Sequence, residues 1–185
     1  MKRTTQDRFP PKTITRDDYL SGGQDLDFRL GIYRFVQAAR RLGDCREAFG
    51  RWIDLTSSQY LVLMGIAYAQ GTSGITIASI ATHVGLAATH VTTEVGRLIR
   101  RGLLVKAPSA EDRRSVLVSL TPAGELAVRD VIVLVRQIND ILFKNISRRE
   151  FDALVVTSEK LIRNSEYAMT ELRLLESDRA DGETH

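Results

Sequence analysis

Thr76-Ile77-Ala78-Ser79-Ile80-Ala81-Thr82-His83-Val84-Gly85-Leu86-Ala87-Ala88-Thr89-His90-Val91-Thr92-Thr93-Glu94-Val95-Gly96-Arg97-Leu98-Ile99-Arg100 carries two helical periods separated by one break. Ile77, Ile80, Ala81 and Val84 fall on one face of a short helix, and Gly85 suits its stop. After Leu86 a second helix is expected from Ala88 to Arg100, with Val91, Val95, Leu98 and Ile99 inward. Two helices joined by a short glycine-containing turn form a helix-turn-helix. Gly102-Leu103-Leu104-Val105 then reads as a strand, Pro108 to Arg114 as a polar tip, and Ser115-Val116-Leu117-Val118-Ser119-Leu120 as a returning strand. Val116, Val118 and Leu120 alternate as in a half-buried strand. Two strands with a charged tip beside a helix-turn-helix make a wing.

Outward from this stretch the chain reads as helix on both sides. Residues 1–24, with Pro10-Pro11 and Gly22-Gly23, show no sustained period and are expected to be a flexible arm. From Leu26, an apolar stripe of Phe28, Ile32, Phe35, Val36, Ala39 and Leu42 predicts a helix, with Gly43 as its expected end. Thr56-Ser57-Ser58-Gln59 is a capping box that opens a helix apolar nearly all round, hence central. Thr121-Pro122 pairs an N-cap with proline at the first helical position, opening a helix to about Asn145. Ser147-Arg148-Arg149-Glu150 is a second capping box, opening a helix to about Leu175. The resulting division is 1–24 arm, 25–55 first helix, 56–124 winged domain, 125–175 terminal helices and 176–185 disordered tail. The fold class is mainly α with a small β-wing.

Composition narrows the function classes. The 185 residues are 43% hydrophobic and 26% charged, which is globular usage. One cysteine, Cys45, excludes a disulfide framework, and His83, His90 and His185 are too few and too scattered for a metal cage. No secretory core follows the basic start and no apolar run reaches bilayer length, so a cytoplasmic setting is expected, without membrane or cofactor. Gly71-Thr72-Ser73-Gly74 lacks the lysine and spacing of a phosphate-binding loop, and no nucleophile–base pattern stands out, so an enzyme is not expected. Segment 72–124 carries six Lys/Arg against three Asp/Glu, whereas 125–185 carries nine against twelve. The basic bunching at Arg97, Arg100, Arg101, Lys106, Arg113 and Arg114 fits either a phosphate-facing surface or a solvated face.

Four stretches in this order resemble the MarR family of transcriptional regulators. Leu55-Thr56-Ser57-Ser58-Gln59 resembles the opening of that family's second helix, and Leu98-Ile99-Arg100-Arg101-Gly102-Leu103-Leu104 the exit of its recognition helix. Asp112-Arg113-Arg114 is similar to its wing-tip signature, and Leu120-Thr121-Pro122-Ala123-Gly124 to the close of its wing. The similarity covers about Leu26 to Met169. Two departures stand out. Ala87 replaces the usual capping residue, worth about 1 kcal/mol, and Glu94 occupies a normally apolar position, facing Arg97 or Arg101.

The resemblance implies a DNA-binding regulator, a repressor by expectation, acting on double-stranded DNA as a homodimer over a pseudo-palindrome. The outward residues Ala88, Thr89, His90, Thr92 and Thr93 are the candidates for the major groove. None is the Arg, Asn or Gln of a bidentate reader, so modest base discrimination is expected; each Thr reads equally as a solvated position. Arg97, Arg100 and Arg101 lie later and suit flanking phosphates, with Thr76 and Thr82 as lesser candidates. The resemblance places Arg114 in the minor groove, held by Asp112, with Arg113 beside it or simply solvated. Ile132, Val135, Ile138, Leu142, Leu154, Leu161, Leu172 and Leu175 are interface or core candidates. MarR-like proteins typically release DNA when a small molecule, often an aromatic acid, binds between the dimer helices and the winged domain. Tyr33, Trp52 and Tyr60, with Arg34, Arg40 and Arg46, are the expected lining for such an aromatic or phenolic effector, although the aromatics fit ordinary packing as well. Two alternatives stay open: an oxidant sensor through Cys45, placed between Arg41 and Arg46 near a helix end, and a protein-interaction module that binds DNA weakly.

Overall fold

The computed structural model describes residues 9–109 and 115–182, with the side chains of 180–182 left aside. It divides into two units, Met1–Val135 and Arg136–His185. In the first, helix α1 (Leu26–Trp52) leads to α2 (Ser57–Ala69), strand β1 (Ile75–Thr76), α3 (Ile77–Val84), α4 (Ala88–Arg100), and strands β2 (Leu104–Pro108) and β3 (Val116–Leu120). Helix α5 (Pro122–Leu142) begins in this unit, and α6 (Arg148–Gly182) lies in the second.

The expected capping box forms on α2: Thr56 Oγ1 accepts from Gln59 N at 3.3 Å and Gln59 Oε1 accepts from Thr56 N at 3.2 Å. Leu63, Val62 and Ile66 on α2 are fully buried, as are Ile80 of α3 and Val91, Val95 and Leu98 of α4. These helices pack on one another and on the wing, making one core. The sheet order is β1-β3-β2, all antiparallel, with Lys106 opposite Val118 and Ile75 opposite Val118 on the other edge. The two-residue β1 is too short to carry a period and was not expected from the sequence. It seats the start of α3 on the wing.

Three other expectations differ from the structure. Helix α1 runs through Gly43 to Trp52, because a glycine in an open helical position costs only about 1 kcal/mol. Helix α6 continues past Leu175 to Gly182; its start is fixed by the Ser147–Glu150 box, with Glu150 Oε2 accepting from Ser147 N at 2.8 Å. The described part of the arm, 9–24, is tied to the start of α1. Asp25 is wholly buried, accepts from Thr13 N at 2.5 Å and Thr13 Oγ1 at 2.7 Å, and pairs with Arg29 at 2.8 Å. Arg29 also donates to the Pro11 carbonyl, and Tyr19 stands edge-on to Phe28 at 5.3 Å.

At the wing's base, Thr121 donates to the Gly102 carbonyl at 2.6 Å and accepts from Gly124 N at 3.0 Å. A Cβ on Gly124 would stand 2.1 Å from the Leu103 carbonyl oxygen. Helix propensity alone favours alanine there, by about 1 kcal/mol, but the backbone contact decides the opposite sign. Gly124→Ala should lower stability by about 2 kcal/mol, read by denaturant unfolding; a more stable variant contradicts the close approach.

The Arg29 guanidinium, with the Thr13 donors, holds the Asp25 carboxyl well below its ordinary value of 3.8 against the opposing effect of burial. A carboxyl depressed on folding stabilises above its unfolded value and loses that contribution as pH falls through and below it. Asp25→Ala should therefore strip hydrogen-exchange protection from the Thr13 amide at neutral pH. The wild type should lose the same protection as pH drops below 3.8.

Candidate nucleic-acid interface

Helix α4 owes its orientation to its inner stripe. Val91, Val95 and Leu98 have no exposure, and helical spacing then turns Ala88, Thr89, His90, Thr92 and Thr93 outward. All five are exposed. The turn before them uses Gly85 in the left-handed region (φ 69°), where its N–H and that of Leu86 both reach the Ala81 carbonyl.

Ala87 is extended at the N-cap of α4 and supplies no side-chain acceptor. The first intrahelical bond runs from Val91 N to Ala87 O at 3.0 Å, so the N–H groups ahead of it have no partner in their own helix. This leaves a positive helix end open on the exposed side. By contrast α3 is capped: Thr76 Oγ1 accepts from Ser79 N at 3.2 Å and lies 2.9 Å from Ser79 Oγ.

The threonine hydroxyls are partly committed. Thr92 donates to the Ala88 carbonyl at 2.8 Å, Thr93 to Thr89 at 3.1 Å, and Thr82 to Ala78 at 3.2 Å. Each therefore keeps its lone pairs and methyl outward, and can accept from a base amino group or meet a thymine methyl. It is a poor donor to phosphate.

The arginines separate by partner. Arg97 pairs with Glu94 at 2.7 Å, and His90 Nε2 lies 3.8 Å from the same oxygen. Arg101 pairs with Asp54 at 2.9 Å and also donates to the Asp54 carbonyl, so it braces the α1–α2 corner. Asp54 holds a left-handed φ of 57°, a conformation aspartate tolerates. Arg100 is exposed and makes no ion pair among the described residues. Asp112, Arg113 and Arg114 lie outside the described residues.

The expected effector lining does not come together. Tyr33 and Trp52 lie on one helix 19 positions apart, roughly 28 Å at 1.5 Å per residue, too far for one small ligand to bridge within this helix. Tyr33, Arg34, Arg40, Arg46 and Trp52 are all exposed. Tyr60 is buried, with its ring 5.9 Å from that of Phe49. Burial, followed by neighbouring Tyr68, pushes the Tyr60 phenol up to about 12, while Arg46 lowers it. A separate open cavity of about 660 Å³ is lined by Glu47, Arg51, Asp54, Leu55, Thr56, Ser57, Gln59 and Arg101; no local pattern marks it, since its walls join two distant segments. Cys45 sits inside α1 rather than near its end, because the helix passes through Gly43. Among the described residues no acidic, histidine or cysteine cluster suits a metal, and no helix is long and apolar enough to cross a membrane.

A helix-turn-helix whose second helix presents a polar, uncapped tip beside an antiparallel wing defines the winged-helix class. Residues 53–115 match the model of the MarR family. The transcriptional activatory protein BadR of Rhodopseudomonas palustris is 26% identical over 113 residues, 61% of this chain and 64% of BadR's length. The PcaV transcriptional regulator from Streptomyces coelicolor, solved in complex with its natural ligand, is 25% identical with a TM-score of 0.55, covering 69% of this chain and 90% of PcaV. BpsR of Bordetella bronchiseptica, whose DNA binding is regulated by 6-hydroxynicotinic acid, shares the fold at 24% identity and a TM-score of 0.54, covering 72% of this chain and 98% of BpsR.

If Ala87 leaves a helix end unsatisfied, a cap should repair it. Ala87→Ser is expected to raise stability by about 1 kcal/mol in chemical denaturation; no change would mean those N–H groups already have partners.

Proposed function

We propose that this chain is a DNA-binding transcription regulator that seats the first two turns of α4 in the major groove. The observation that carries the reading is the exposed, uncapped start of α4, held by a fully buried inner stripe within a segment that matches the MarR family model. Free N–H groups at Ala88, Thr89 and His90 suit a phosphate, and the acceptor hydroxyls of Thr92 and Thr93 suit base amino groups. Arg97 and Arg100 serve flanking phosphates, with Thr76 at the edge; Arg101 joins only by leaving Asp54. Arg114, Arg113 and Asp112 supply the minor-groove finger on the strength of the resemblance.

A homodimer on a pseudo-palindrome fits the apolar surface. Leu26, Leu30 and Val36 of α1 are exposed, and so, in the second unit, are Leu161, Ile162, Leu172, Leu174 and Leu175. Such surface is more than a monomer leaves wet. Of the interface or core candidates, Val135 is buried and so belongs to the core, and Ile132 and Ile138 are partly covered. Release by a small aromatic acid is the favoured control, supported by the ligand-regulated BpsR. Repression remains the expected sign, while BadR is named as an activator; the same bound complex does either according to where its site lies.

The test is selection of a duplex by the purified chain from a randomised pool, followed by titration over salt. Affinity should fall steeply with salt, and Arg100→Ala should reduce the logarithmic slope by about 0.9 for each phosphate contact removed. A flat salt response would favour a protein-interaction module instead.

A further inference from the structure

We propose that Glu94, a buried carboxylate on the inner side of α4, is a positioning residue that sets Arg97 and His90 for DNA from one shared oxygen. The inference rests on the DNA-binding reading. Glu94 is 2% exposed, in line with the apolar stripe of its helix. A carboxylate there is costly, because the charge leaves water. Its Oε2 has no hydrogen-bond partner, so half of its accepting capacity is wasted. An apolar side chain of similar length would serve the core better.

What the carboxylate does achieve is on the other oxygen. Oε1 lies 2.7 Å from Arg97 Nη1 and 3.8 Å from His90 Nε2. One group sits three residues after Glu94 and the other four before, which places them on adjacent turns of the exposed edge. Anchoring at the buried end removes rotamer freedom from a long arginine before any phosphate arrives, so less is lost on binding. The arginine is half exposed, which leaves its remaining N–H groups free to reach outward. Were Glu94 only a stray negative charge near DNA, removing it would tighten binding. The positioning role demands the reverse.

The experiment compares wild type, Glu94→Met, Arg97→Ala and the double variant on a fluorescent duplex that the wild type has enriched from a randomised pool. Glu94→Met is expected to melt at a higher temperature and yet bind about tenfold more weakly, with a salt slope reduced by about 0.9. The double variant should bind much more tightly than the product of the two single losses, because both remove the same contact. Additive losses, tighter binding by Glu94→Met, or a lower melting temperature would overturn the proposal. Should the methionine variant fail to fold, Glu94→Gln carries the same cycle, and additivity with Arg97→Ala overturns it equally. A wild type that enriches no duplex sinks the DNA-binding reading itself; an enriched duplex with additive variants sinks only the role of Glu94.

Discussion

The first unit depends on one packing constraint: α4 has no freedom to roll about its axis. Val91, Val95 and Leu98 lie fully buried against a helix, α2, whose own Val62, Leu63 and Ile66 are equally enclosed. Rolling α4 by one position would expose three large aliphatic side chains, each worth about 1.5–3 kcal/mol of burial. Every property of the outer face follows from that lock, including which threonines look outward and where the uncapped end points.

Much of the scaffold was legible because local chemistry and periodicity agreed with tertiary need. The two capping boxes at Thr56 and Ser147, and the Thr121–Pro122 start, are short-range signals whose partners sit three residues away, and all three formed. Gly43 misled because a stop signal is only a preference, overridden where a helix continues on both sides. β1 was missed since two residues have no period; only its pairing with Leu117 and Val118 defines it.

The site was legible in part. The outward set on α4 follows from helical arithmetic, and the structure exposes all of it. Partnerships across long sequence gaps did not show: Arg101 meets Asp54 from 47 residues away, and Asp25 meets Thr13 across 12. Nothing in composition singles out those pairs from the other acids and bases. The effector set is spread along the chain for a related reason. Residue type picked aromatics and arginines, but position along a rigid helix spreads Tyr33 and Trp52 apart.

The close approach of Gly124 to Leu103 has a mechanical consequence. With Thr121 bonded to both Gly102 and Gly124, the exit of α4, the wing's root and the first turn of α5 share one rigid joint. Torque applied along the first turn of α5 would thus reach the root of the wing with no slack, whereas a bulkier side chain at that joint would act like grit in a bearing.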